Sequence, residues 1–401
     1  MAGRLQPKRP PAETAGAAHL FPYYAGFSYD WARSQLLDGS TNGTVLDPWN
    51  GSGTTTSAAS ELGWRSVGVD LNPVAAIIAT ARSGRPLGSS AIDSISCKGW
   101  KDVTDDAARD DPLGAWFDLN TTKRLRTLAR RVSALGPLAT VALFRTVRGT
   151  TGFAEGSNPT WVRRGSSAQL LCLPSQALEA SWRAEAVTTS EIISDPSAAL
   201  RLSPLVITAA AQSLPLPSAS VDTILTSPPY LTRIDYGVAY SRELALLSSC
   251  NALLSTVRRS LMGTTLIRRA AALPTFGVEA QALLDEIQHH PSKDSSGYYL
   301  KQARQYLSDL GASLSEITRV ARAGASATFV VQDSYYKDIP VKLGEILVSE
   351  LSSLGWDLAE SRSEAVSRSL VTMNSAARRY SKKPVEEHVL RFRTTSRGSR
   401  A

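Results

Sequence analysis

The tetrapeptide Ser227-Pro228-Pro229-Tyr230 concentrates hydrogen-bond acceptors in a small space. Two adjacent prolines hold the backbone extended and remove two amide donors. The Ser227 hydroxyl and the carbonyls around Pro228 are left to accept protons, beside the flat ring of Tyr230. That set suits an amino group conjugated to an aromatic ring. Such an amine is a poor nucleophile until its lone pair leaves the ring plane, and acceptors aimed at its two protons favour that geometry. Catalysis of this kind works by orientation and needs no strong base. An isolated Pro-Pro equally well ends a strand; a second segment far upstream turns the reading toward chemistry.

That segment is Asp47-Pro48-Trp49-Asn50-Gly51-Ser52-Gly53-Thr54, whose small residues let backbone approach a ligand closely. Its spacing is neither the dinucleotide GxGxxG nor the phosphate-binding GxxxxGK[ST], since no lysine follows Gly53, and this counts against a phosphate cofactor. Asp70 follows about twenty residues later, where doubly wound folds place an acid for ribose hydroxyls. Capping of the next helix is the other reading of Asp70.

Strands and helices must hold these groups in place. Residues 43–46 read as a buried strand, 54–62 as a helix closed at Gly63, 65–70 as a second strand, and Asn72-Pro73 opens a helix reaching Arg82. Further on, 221–226 is a strand ending in Ser227 and 236–249 a helix behind it. Tyr299, Ala303, Tyr306, Leu310, Leu314 and Ile317 keep helical spacing, and Gly324 stops that helix before a strand at 327–332. Residues 341–354 read as a helix and 388–392 as a closing strand, antiparallel to one near Leu370. The pattern predicts an α/β fold, a doubly wound Rossmann-like sheet, mostly parallel with an antiparallel last strand, plus an inserted region. The expected divisions are a mobile tail at 1–18, a cofactor half at 19–83, an insertion at 84–204 and a catalytic half at 205–401 with a helical insertion at about 250–310.

Composition narrows the class. A hydrophobic fraction of 43% and no apolar run near the roughly 20 residues of a membrane span argue against a membrane protein. The polar, Pro-rich start lacks the core of a secretory signal, so the expected location is the cytoplasm. Cys97, Cys172 and Cys250 are isolated, form no CxxC pair and read as small buried hydrophobes, so neither a metal site nor a disulfide framework is expected. The net charge of +8 attracts polyanions without identifying one.

Together these segments resemble the DNA amino-methyltransferases, the bacterial N4-cytosine and N6-adenine enzymes. The DPFxGSGTT loop of that family is matched by Asp47 through Thr55 with Trp49 in place of Phe, its GxDxNPxA by Gly68 through Ala75, and its [DNS]PP[YFW] by Ser227 through Tyr230. Phe21-Pro22-Tyr23-Tyr24-Ala25-Gly26-Phe27-Ser28 is similar to the HPYPAKF-type segment that closes over the cofactor, with Phe21 where His is usual. The resemblance implies S-adenosyl-L-methionine as cofactor, held by Tyr24, Phe27, Asp47, Pro48, Trp49, Gly51, Ser52, Gly53, Thr54, Asp70, Leu71 and Asn72. It implies catalysis by Ser227, Pro228, Pro229 and Tyr230 on a base flipped out of double-stranded DNA, with direct methyl transfer. Ser227 resembles the N4-cytosine enzymes more than the N6-adenine ones. Motif order resembles the arrangement in which the intervening region recognises the target, and a restriction endonuclease or other defence partner fits the same family. RNA amino-methyltransferases and a noncatalytic DNA-binding relative are the alternatives. One departure stands out: an acid that in relatives precedes the Leu-Pro-Leu-Pro run and contacts the cofactor adenine is missing, the local sequence being Ala209-Ala210-Ala211-Gln212-Ser213.

Further DNA candidates are Arg233, Asp235 and Tyr236 just past the catalytic segment, within a stretch resembling SPPYLxRxDY; an Arg233–Asp235 salt bridge is the competing reading. Arg163 and Arg164 follow Trp161, and Arg124, Arg126, Arg130 and Arg131 fall at near-helical spacing, which suits phosphate contacts or a solvated basic face. Arg258-Arg259 and Arg268-Arg269 are candidates to grip a DNA backbone, and Gln332 through Lys337 is a candidate pocket wall or capping segment.

Overall fold

A computed structural model describes residues 7, 19–22, 26–38, 43–97, 110–152, 170–194, 201–231, 234–268, 275–366 and 385–395. Apart from Pro7, the tail 1–18 lies outside them, as do Tyr24, Arg163, Arg164 and Arg233.

Seven strands form the central sheet: β1 Thr44–Asp47, β2 Arg65–Asp70, β3 Leu205–Thr208, β4 Val221–Thr226, β5 Ala321–Gln332, β8 Trp356–Val366 and β9 Val385–Thr394; β6 Ser334–Tyr336 and β7 Ile339–Val341 make a separate small hairpin. The order across the sheet is β3-β2-β1-β4-β5-β9-β8. Pairing is parallel from β3 through β5, and β9 runs antiparallel to both β5 and β8. The expected α/β sheet with an antiparallel last strand is thus the observed one. The strand order reverses between β1 and β4, where β1, β2 and β4 leave their C-terminal ends side by side, and such a switch point is where open α/β sheets bind ligands.

Alternation along the strands divides the core in two. Leu46, Ile224, Phe329 and Val331 face the cluster built with helices Val278–His289, Leu300–Val320 and Leu343–Ser353. Their neighbours Val45, Leu225 and Val330 face the opposite cluster with Trp31, Leu36 and Ala58 of helices Tyr29–Asp38 and Thr54–Glu61. One-residue steps therefore send alternate side chains to different helix layers.

Three local expectations are corrected. Helix Leu300–Val320 passes directly into β5 at Ala321, and Gly324 does not stop it; that glycine sits inside β5 with φ +78°, a conformation an L side chain resists. Besides β5, β9 pairs antiparallel with β8, reaching from Trp356 to Val366, while Leu370 lies outside the described residues. Residues 236–249 form two short helices, Tyr236–Ala239 and Ser241–Leu247.

The described part of 84–204 is helical. Helices Leu119–Ser133, Pro137–Thr150 and Ser175–Ser194 share one apolar cluster with Val74 and Ile78 of helix Pro73–Arg82, with Leu20 and Phe21, and with Tyr240 and Leu244. This segment is an added layer on the sheet's helices rather than a detached body. Among the described residues no helix is long and apolar enough to cross a membrane. Cys172 and Cys250 are exposed, against the expectation of buried hydrophobes, and Cys97 is half-buried.

Candidate active site

One cleft lies at the C-terminal ends of β1, β2 and β4. Its walls are the loop residues Asp47 to Ser52 with Thr54, the strand-end residues Asp70, Leu71 and Asn72, Gly26 and Phe27, Ala211 and Gln212, Ser227, Pro229, Tyr236, and residues 260–262. Segments 180 residues apart in the chain thus face one space.

The first loop turns because of its glycines. Gly51 and Gly53 have φ of +49° and +85°, and Gly53 begins helix Thr54–Glu61. Gly53 lies behind the wall, where a Cβ would stand 2.9 Å from that of Ala79. Asn50 is buried; its Oδ1 accepts from Thr56 Oγ1 at 3.0 Å and its backbone N–H donates to the Val69 carbonyl at 3.0 Å. Gly68 makes room for it, since a Cβ at that position would meet the Asn50 amide at 2.3 Å. The glycine of the Gly68-Val69-Asp70 motif therefore seats the loop against β2.

Two acids face the cleft. Asp70 accepts from the backbone amides of Gly51, at 2.9 Å to Oδ2, and Asn72, at 2.8 Å to Oδ1. Asn72 in turn caps helix Pro73–Arg82 by accepting from the Val74 amide, with proline at the first helical position. Capping and ligand readings of Asp70 are thereby separated: Asn72 does the capping. Asp47 is buried and accepts from Thr226 Oγ1 at 2.6 Å and from the Trp49 amide at 3.1 Å. Burial pushes both carboxyls up to about 6, against the opposing effect of their hydrogen bonds. The Thr226–Asp47 bond ties the end of β4 to the loop after β1, and Thr55 Oγ1 adds a second tie by donating to the Leu225 carbonyl at 3.0 Å.

From the catalytic segment, Ser227 and Pro229 line the cleft, while Tyr230 packs half-buried against the apolar cluster beneath the sheet, its hydroxyl 3.4 Å from Ser227 Oγ. Tyr236 lines the cleft; Asp235 sits behind it, accepting from the Val238 amide and from Arg258 Nη2 at 3.0 Å. Arg258, 23 residues on, is thus Asp235's ion-pair partner. That pair uses one arginine proposed for DNA, and Arg268 is likewise engaged by Asp309.

Other candidates are structural. Arg126 is buried and bidentate to Asp111, and donates to the carbonyls of Ala245, Leu246 and Ser248. Arg124 and Arg131 donate to the carbonyls of Leu173 and Ser96. Asp333, after β5, pairs with His388 at 3.0 Å and does not reach the cleft.

Residues that sequence reasoning missed are Ser260, the last residue of helix Asn251–Ser260, and Leu261 and Met262 just after it, which carry no motif, and Gln212, visible only as the residue near which an acid was missing. Gln212 faces the cleft and hydrogen-bonds Asp309 of helix Leu300–Val320. The donor set fits an adenosine-type cofactor: an acid with backbone-fixed oxygens at a strand end, apolar faces from Phe27, Trp49, Leu71 and Met262, and two buried amide nitrogens, Asn50 Nδ2 and Asn72 Nδ2, without a partner among the described residues. Among the described residues no group of three or more His, Cys, Asp or Glu side chains is arranged to hold a metal ion.

A family model described as DNA methylase matches residues 33–80, which span β1, the glycine loop, β2 and Asp70. No curated protein matches. Solved structures similar to the chain include a SAM-dependent methyltransferase from Methanosarcina mazei (8% identity over 90% of this chain and 97% of that one, TM-score 0.33). Others are a putative sarcosine dimethylglycine methyltransferase from Galdieria sulphuraria (8%, 92% and 85%, 0.34) and a 16S rRNA (adenine(1408)-N(1))-methyltransferase from Catenulisporales acidiphilia (14%, 55% and 75%, 0.24). Superpositions at this level speak to neither substrate nor activity.

Proposed function

We propose, from a chain that residues 33–80 join to the DNA methylase family, that it methylates an exocyclic amino group of a DNA base, with N4 of cytosine the favoured target. The observation that carries this reading is the single cleft in which Asp70 and the glycine loop face Ser227 and Pro229. S-adenosyl-L-methionine, when bound, supplies a methyl group on a sulfonium centre. Asp70 accepts the ribose hydroxyls, the loop backbone and Trp49 hold the remainder, and Asn50 and Asn72 offer amide donors. Ser227 Oγ and the Pro228 carbonyl accept the two amino protons of the base and turn its lone pair toward the methyl group. The N–C bond forms as the C–S bond breaks, and the amine then loses one proton.

A base in a duplex cannot enter such a cleft without leaving the stack, so flipping is part of the proposal. Tyr236 at the cleft wall and Tyr230 behind it offer aromatic faces for the extruded base. The added helical layer, between the two motif blocks in chain order, is assigned to target recognition. A restriction endonuclease is the partner this activity would protect against.

The test exposes the purified chain to labelled cofactor with mixed-sequence duplex DNA or total RNA and identifies the methylated nucleoside by mass spectrometry, with Tyr230→Ala as control. N4-methylcytosine, lost in the control, is expected. N6-methyladenine overturns the choice of base, methylated RNA the choice of nucleic acid, and cofactor binding without transfer the catalytic reading.

A further inference from the structure

The catalytic segment has an anchoring problem. Pro228 and Pro229 offer no amide hydrogens, so across these two residues the turn can be held only through its carbonyls. Tyr306, in the N-terminal third of helix Leu300–Val320 and only 1% exposed, donates its hydroxyl to the Pro229 carbonyl oxygen at 2.8 Å. Its ring belongs to the large apolar cluster under the sheet, which also holds Leu231, Met262, Leu307 and Leu310. Burial holds the phenol well above its ordinary range, so it remains a protonated donor. On the other side, Gly263, with φ +78°, lets backbone pass so close that a Cβ there would stand 3.3 Å from the Tyr230 carbonyl.

We propose that Tyr306 is a positioning residue for methyl transfer: by occupying the Pro229 carbonyl it locks the turn, so that the Pro228 carbonyl and Ser227 hydroxyl keep their aim at the amino group. The inference rests on the amino-methylation reading above. It assigns different work to two adjacent carbonyls, one facing the helix and one left for substrate. A displacement of about 1 Å at an orienting group is enough to cost about 100-fold in rate.

The test compares single-turnover transfer by the wild-type chain and Tyr306→Phe, with rates normalised to cofactor-binding sites so that misfolded protein does not count. Thr318→Val is the control. It removes a hydrogen bond to Trp356 Nε1 from the same helix, far along it from the turn. The expected result is a rate about 10- to 100-fold lower in Tyr306→Phe, with the dissociation constants for cofactor and DNA unchanged, and no such loss in Thr318→Val. Equal rates in wild type and Tyr306→Phe overturn the role alone, as does an equal loss in the control. No transfer by the wild type to DNA or RNA overturns the activity and this role with it.

Discussion

Residues 44–82 and the helical layer of 112–194 each carry clusters that look chemical, and the two have opposite fates. In the first, Asp47, Asn50, Asp70 and Asn72 lie in or beside the cleft, and Asp47, Asp70 and Asn72 each accept from the backbone amide two residues on. In the second, Arg126 is consumed by a buried carboxylate and three carbonyls from helix Ser241–Leu247 and its end. A carboxylate supported by its own turn can face outward to a ligand, whereas a buried guanidinium whose three nitrogens all donate inside the protein is not presented to phosphate. The spacing of charged residues is therefore informative only where their partners are local.

The comparison can be broken most sharply at Arg126. Arg126→Ala strands Asp111, 5% exposed, without its partner, and the expected loss is about 3–5 kcal/mol of stability, read by denaturant unfolding. DNA affinity per folded molecule should not change; a selective loss of DNA binding with normal stability would return the residue to the interface. Next is Asp70→Ala, which removes a charged acceptor and should weaken cofactor binding by about 10- to 100-fold in calorimetric titration, while the fold survives. Unchanged affinity would leave Asp70 as loop scaffolding alone.

A smaller effect follows from pH. Asp70 has a carboxyl raised to about 6 by burial, so it ionises as pH rises through 6 and becomes a full acceptor for hydroxyls. Cofactor affinity should rise several-fold between about pH 5 and 7, and Asp70→Asn should flatten that rise. The same shift acts oppositely on stability. The folded chain holds protons on Asp47 and Asp70 that the unfolded chain releases nearer pH 4, so their contribution is fully present below that range and is lost as pH passes 6. The smallest expected effect is at Gln212: Gln212→Ala should weaken the cofactor by about 1 kcal/mol, roughly fivefold, if its side chain takes over the missing acid's contact.

What reading the chain could reach follows from this. The strand-loop-helix of 44–61, the Asp70 strand end, the Asn72-Pro73 helix start and Ser227 at the end of β4 were legible because period, caps and proline chemistry are encoded within about ten residues. The boundary at Gly324 was misplaced because glycine ends helices and also bends strands, and the neighbouring strand decides which. Tyr306 read as one more apolar position in a helical stripe, since spacing places a tyrosine ring without saying where its hydroxyl ends.

The amino-acid sequence by itself determined the alternating α/β order, the cofactor loop with its acid and the acceptor-rich catalytic turn, because each depends on backbone preferences of adjacent residues. Only the tertiary structure decided that Thr226 binds Asp47, that Arg258 pairs with Asp235, and that Tyr306 holds Pro229. Those partners stand 179, 23 and 77 residues apart, and a hydrogen bond at such separation depends on how whole layers pack, which no local pattern encodes.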